Sequence, residues 1–168
     1  MAKKPLPTPD ELRQLLRYEP DTGLIIRLAK GRNRETPALF SVGRHGHLGG
    51  YVGGRQMSAH RVAFALYHGR WPERFIDHID GNPANNAISN LRECSHRENM
   101  CNRRPAKGAT SRFLGVSYER RRQNWRAEIK KNGKGMKLGT FACEISAARA
   151  YDEAARKLHG SFARLNFP

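Results

Sequence analysis

Between residues 125 and 160 the hydrophobic period changes from two to 3.6, and few arrangements of a chain satisfy both halves of that change. In "WRAEIK", Trp125, Ala127 and Ile129 share one strand face while Arg126, Glu128 and Lys130 share the other. "NGKG" supplies turn residues. "MKLG" then resumes the alternation, with Met136 and Leu138 inward and Lys137 outward. In "EISAARAYDEAARKLHG", Ala147, Ala148, Tyr151, Ala154, Ala155 and Leu158 recur at helical spacing, and Gly160 suits a C-terminal cap. Such small residues let a helix lie close on a sheet. The pattern predicts three short strands with one helix across their back, and a polar, basic outer sheet face.

Charge says what that face meets. The 168 residues carry a formal net charge of +16, and residues 109–168 alone hold 13 Lys/Arg against 5 Asp/Glu, or +8. The other +8 belongs to the rest of the chain. Two separately basic halves predict contact with a long polyanion at two places, DNA or RNA. The three cysteines, Cys94, Cys101 and Cys143, form no disulfide framework and no CxxC zinc spacing, so they read as buried or idle thiols. With no signal peptide and no apolar run near the roughly 20 residues that span a bilayer, the chain reads as intracellular, with no membrane partner.

The remaining punctuation is local. "MAKKPLPTP" reads as a flexible tail. "DELRQLLRYEPDTG" predicts a helix capped by Asp10, with Leu12, Leu15 and Leu16 on one face and Pro20 and Gly23 ending it. "GLIIRLA" suits a strand. The glycine-rich "GRHGHLGGYVGGRQMSAHRV" predicts short extended pieces and tight turns, and it lacks the GxxxxGK[ST] pattern of a nucleotide-phosphate loop. "HRVAFALYHG" reads as a helix with Val62, Ala63, Leu66 and Tyr67 inward and Gly69 as its stop.

The chemistry concentrates in "FIDHIDGNPANNAISNLRECSHRENM", residues 75–100, where five asparagines surround an Asp77-His78 pair. Asn favours caps and turns, but phosphodiester hydrolysis also needs a base of near-neutral pKa and oxygen ligands for a hard cation. His supplies the first, and Asp and Asn supply the second. The order is strand, loop, strand, helix. With "DHIDGN…NN…SNLR…N", residues 58–104 resemble the HNH endonucleases of the ββα-metal type, in particular the phage and intron-homing branch. The resemblance implies that Asp77 and Asn99 hold the metal, that His78 is the general base, and that Asn90 braces the loop and orients the histidine. The third motif letter is Asn rather than His, which implies one weakly held cation, Mg2+ with Mn2+ able to substitute. Adjacent residues of a regular strand point to opposite faces, so Asp77 and His78 can serve one site only at a twist, a bulge or a strand end. Asn82, Asn85 and Asn86 read as loop formers. His60 fits the family pattern or a helix start, and His96 lies within reach of phosphate. His45, His47, His68 and His159 have no supporting context.

"LGTF", "AARAYDEAA" and "LNFP" give residues 113–168 a resemblance to the APETALA/ethylene-response-factor (ERF-type) DNA-binding domain. It implies a three-stranded sheet laid in the major groove, with Arg126, Glu128, Lys130 and Lys137 at bases and phosphates and Arg120, Arg121 and Arg122 at phosphates. The family's first-strand arginines are replaced by Ser117 and Glu119, so its sequence preference does not transfer.

The expected fold is α+β: a ββα-metal HNH nuclease domain followed by a three-stranded antiparallel sheet packed on one helix. Residues 1–57 lead into a nuclease core at 58–104, then a linker at 105–111 and a DNA-binding domain at 112–168. The expected activity is metal-dependent cleavage of double-stranded DNA by a monomer that uses no small-molecule cofactor. Its setting would be the cytoplasm of a bacterial host, with a phage or mobile element encoding it. The alternative is a sequence-specific DNA-binding transcription regulator that does not cleave.

Overall fold

The computed structural model describes residues 5–28, 36–37, 40–43, 46–101 and 108–168. His45 and the expected linker up to Lys107 lie outside them. The chain divides into two compact units, Met1–Ser95 and His96–Pro168.

The first unit opens with α1 (Pro9–Arg13), which is shorter than its leucine spacing predicts. Thr8, not Asp10, caps it: the Thr8 hydroxyl accepts from the Glu11 amide, and the Glu11 carboxylate accepts from the Thr8 amide at 2.7 Å. Pro7 is also held, because its carbonyl accepts the Trp71 indole N–H at 2.8 Å. Residues 7–9 therefore belong to the fold rather than to a tail. Leu16, expected on the helix, begins β1 (Leu16–Glu19), which pairs antiparallel with β2 (Leu24–Arg27). A strand β3 (Thr36–Pro37) extends this sheet, and β4 (Ser41–Val42), β5 (Leu48–Val52) and β6 (Arg55–Ser58) form a second.

Helix α2 (Ala59–His68) is the centre of the unit. Val62, Ala63, Phe64, Ala65 and Leu66 are buried with Leu12, Leu16, Ile25, Val52 and Met57, and Gly69 ends the helix by donating to the Ala65 carbonyl. Tyr67, expected inward, is 52% exposed. Ile76 of β7 (Phe75–His78) and Leu91 of β8 (Leu91–Cys94) join the same core, and these two strands pair antiparallel. The element that should carry chemistry is thus anchored to a helix through its apolar neighbours.

The second unit contains α3 (His96–Cys101), β9 (Val116–Glu119), β10 (Asn124–Lys131), β11 (Lys134–Phe141) and α4 (Glu144–His159). Strand β10 lies between β9 and β11, and α4 packs on the face bearing Val116, Ala127 and Ile129. Ala147, Ala148 and Ala155 of α4 are fully buried there. Gly115 lets the helix approach: a Cβ at its φ of +72° would lie 2.0 Å from the Tyr151 ring. Register slips between Ala127 and Glu128, so β11 shifts by a residue, and Met136, expected inward, is 41% exposed.

Candidate active site

His78 is the last residue of β7, and Asp77 precedes it on a regular ladder that pairs Asp77 with Arg92 and His78 with Leu91. The two side chains reach different partners. Asp77 is 5% exposed, and its Oδ2 accepts from Arg92 Nε at 2.9 Å and from a terminal Arg92 nitrogen at 2.7 Å. That two-point contact supplies the counter-charge a buried carboxylate needs.

His78, also 5% exposed, places Nε2 3.2 Å from Asn86 Oδ1. The amide's orientation follows from its other end, since Asn86 Nδ2 donates to the Ala84 carbonyl at 3.2 Å. Oδ1 can only accept, so Nε2 carries the proton in this contact. Asn86, which sequence reading left among the loop formers, is thus one of the side chains that meet His78. Asn86 is itself held from the N-terminal hairpin: the Tyr18 hydroxyl donates to its carbonyl at 2.7 Å. Burial pushes that phenol up to about 12. At the hairpin's turn, Gly23 sits at φ +75°, where a Cβ would lie 2.4 Å from Asn86 and Ala87 backbone atoms.

Asn90 braces the loop. Its Oδ1 accepts from the Asp80 amide at 2.9 Å, and its Nδ2 donates to Asp80 at 3.0 Å and to the Asn85 carbonyl at 2.8 Å. Asp80, which sequence reading did not single out, is the loop's anionic hub. It also accepts from the Asn82 amide at 2.7 Å and from Asn85 Nδ2 at 2.8 Å. Burial works against its charge, but these donors and His78 outweigh it and hold the carboxyl below its ordinary value. Asn82 and Asn85 close turns through their own side chains, accepting from the Ala84 and Ala87 amides.

Two further histidines meet His78. His60, in the first turn of α2, and His47, just before β5, have ring centroids 5.4 Å from it and 5.1 Å from each other. One ligand atom from each of the three lies within 4.8 Å of the others. Burial, followed by the His78 and His47 imidazoles, lowers the His60 pKa from 6.5 to about 3. His60 Nδ1 is buried with no hydrogen-bond partner among the described residues. His47 had no supporting context in the sequence, because the three rings come from separate elements and their spacing resembles no metal motif.

Within the second unit, Asn99 lies half-buried on α3, and His96 is exposed at its start. Arg126, Lys130 and Lys137 are exposed on the sheet, and Arg126 forms a salt bridge with Glu128. Arg120, Arg121 and Arg122 are exposed in the turn after β9, with Arg122 3.5 Å from Glu119. His68 stacks on Phe64, with centroids 4.1 Å apart, and burial lowers the His159 pKa. Cys94 is buried, and Cys143 caps α4 through its sulfur. Among the described residues neither joins a metal-ligating group.

Residues 58–101 match the HNH endonuclease family and residues 111–161 match the AP2 domain. The chain is also 39% identical over 90 residues to Protein 3.8 of Escherichia phage T7, covering 54% of this chain and 74% of that protein. The chain carries an HNH endonuclease domain. It is a DNA-cleaving hydrolase in which a DNA-binding AP2 domain follows the nuclease domain in sequence. An uncharacterized HNH endonuclease of Acanthamoeba polyphaga mimivirus is 33% identical over 127 residues, 74% of this chain and 65% of that one. The AP2 part is 52% identical over 46 residues to a putative dehydration-responsive element-binding protein 2H of Arabidopsis thaliana, 26% of this chain and 29% of the relative. A solved structure described as DNA binding and cleavage by the HNH homing endonuclease I-HmuI aligns at 24% identity with TM-score 0.39, covering 51% of this chain and 49% of that one. Among the described residues no helix is long and apolar enough to cross a membrane.

Proposed function

We propose that this HNH endonuclease is a metal-dependent enzyme of the homing kind, in which His78 is the general base and the AP2 domain positions double-stranded DNA. The observation that carries the reading is the Asn86 contact, which turns Nε2 of His78 toward the loop and fixes the ring, as a positioned general base requires. The loop that Asp80 and Asn90 lock keeps Asn86 in place. The homing assignment rests on the DHIDGN and SNLR motif, with Asn99 as its third letter.

Asp77 and Asn99 would hold the cation. Their carboxylate and amide oxygens fit a hard ion that keeps several waters, Mg2+ or Mn2+. Such an ion, when bound, stabilises charge developing on the phosphate. The protein's own part is to hold His78, exclude solvent around it and grip the duplex. Arg126, Glu128, Lys130 and Lys137 would meet the groove, and Arg120, Arg121 and Arg122 the phosphates. Functional boundaries at 58–104, 105–111 and 112–168, a monomeric state and the cytoplasm of a bacterial host complete the proposal.

Cleavage of supercoiled plasmid with Mg2+, Mn2+ or EDTA tests it. His78→Ala should lose roughly 100- to 10,000-fold in rate while still binding DNA. Near-wild-type cleavage by that folded variant would remove His78 from the mechanism, and undiminished activity in EDTA would remove the metal. Binding without cutting in every condition would favour the regulator.

A further inference from the structure

We propose that His47, His60 and His78 form a second cation site, suited to an imidazole-preferring transition ion of the zinc class, and that filling it stops cleavage. The inhibitory half rests on His78 being the base; the binding half does not.

Three observations converge. One ring nitrogen from each histidine lies within 4.8 Å of the other two. Tetrahedral zinc at its usual Zn–N distance places ligand nitrogens about 3.4 Å apart, so closing the site needs a contraction of up to about 1.4 Å. His47 can supply it, because its side chain is exposed. Next, His60 Nδ1 is buried without a partner among the described residues. Packing of the rings alone leaves that nitrogen unsatisfied, at the cost any unpaired buried polar atom carries, whereas a cation held on Nδ1 would satisfy it. The burial that keeps His60 neutral also keeps its lone pair available. Finally, among the described residues no carboxylate belongs to the cluster. Neutral imidazoles select zinc, cobalt or nickel, while the oxygen donors of Asp77 and Asn99 select magnesium or manganese.

Ions of the two classes thus bind different donor sets of one nuclease. A neutral imidazole has one lone pair. When His78 gives it to a metal it cannot accept a proton from water, so zinc would inhibit even with magnesium in excess.

The test uses the untagged full-length protein titrated with Co2+ in excess Mg2+. The expected result is a visible absorption band of tetrahedral cobalt that saturates near one equivalent and disappears on adding Zn2+. In His47→Gln, whose exposed position spares the core, the band should vanish, and roughly tenfold or more zinc should be needed to inhibit cleavage. His60→Gln should behave alike, with circular dichroism reporting whether it folds. Absence of the band in wild type, its persistence in His47→Gln, or a thiolate-to-cobalt transition in the near ultraviolet would overturn the site. Cobalt binding that leaves cleavage untouched would uphold the site and overturn the inhibition. His78→Ala, assayed separately, then shows whether His78 is the base at all.

Discussion

The packing of His60 between His47 and His78 has a thermodynamic consequence that needs no metal or DNA. Its pKa falls from 6.5 to about 3, with burial as the largest cause. Between those values the unfolded chain binds a proton that the folded chain refuses, so stability is intact above pH 6.5 and declines as pH drops toward 3. The upper limit from this group is about 1.4 kcal/mol per pH unit. Thermal unfolding at pH 7 and pH 5 should therefore show a larger loss for the wild type than for His60→Gln; parallel losses would mean that folding leaves His60 free to protonate. Asn86 makes a second prediction at this scale. Asn86→Ala removes the acceptor that holds the Nε2 proton of His78, leaving tautomer and ring angle less restricted. Cleavage should fall by about tenfold, the order of one net hydrogen bond, with DNA affinity retained. An unchanged rate would show that another contact orients the ring. Sequence placed the brace at Asn90, which bonds Asp80 and the Asn85 carbonyl, while Asn86 contacts the imidazole. Both asparagines sit in the same polar run, and only the folded loop decides which amide faces the histidine.

Elements were legible where local period and tertiary demand agree. Strand β10 and helix α4 bury their expected faces because alternation and the 3.6 period each have a partner surface to fill. Leu12, Leu15 and Leu16 suit a helix equally well, yet Arg17–Glu19 has a better use in pairing with residues 24–26, a contact no local pattern reports. The signal for the true start was present in Thr8 and Glu11, which form a capping box three residues apart. Met136 was misplaced for a similar reason, since a bulge has no signature in strict alternation. The least visible device is Asp152, a buried acid on the inward side of α4 whose two oxygens accept from the amides of Asn166 and Phe167 at 2.8 Å each. Asn166 in turn accepts from the Leu114 amide at 2.7 Å. This latch ties "LNFP" to the helix and to the approach to β9. Asp152→Ala leaves two part-buried amides without their acceptor, each costing less than the about 1–3 kcal/mol of a fully buried group, and should lower the melting temperature more than Glu153→Ala, which removes an exposed Lys157 pair. Equal melting temperatures would show that the latch contributes nothing.

Over the whole molecule the two +8 halves serve one electrostatic purpose, and the sheet of the second unit decides where half of that charge is applied. Its outer face carries Arg126, Lys130 and Lys137, while Arg149 is exposed on the helix behind. If the sheet meets the duplex, Arg126→Ala in the full-length chain should weaken DNA binding more than Arg149→Ala. A lost phosphate contact should also flatten the dependence of log affinity on log salt by about 0.9, whereas loss of a base contact should reduce discrimination between sequences with the slope preserved. Glu128 sharpens the distinction, because in the free protein it already holds the Arg126 guanidinium. Part of what Arg126 gains from DNA is spent in leaving Glu128, which makes the pair selective rather than merely attractive. Glu128→Gln should then raise affinity for arbitrary duplex and narrow the gap between preferred and arbitrary sequence. Measuring the three variants at two salt concentrations separates these effects. A loss at Arg149 equal to or greater than that at Arg126 would mean that the sheet does not face DNA.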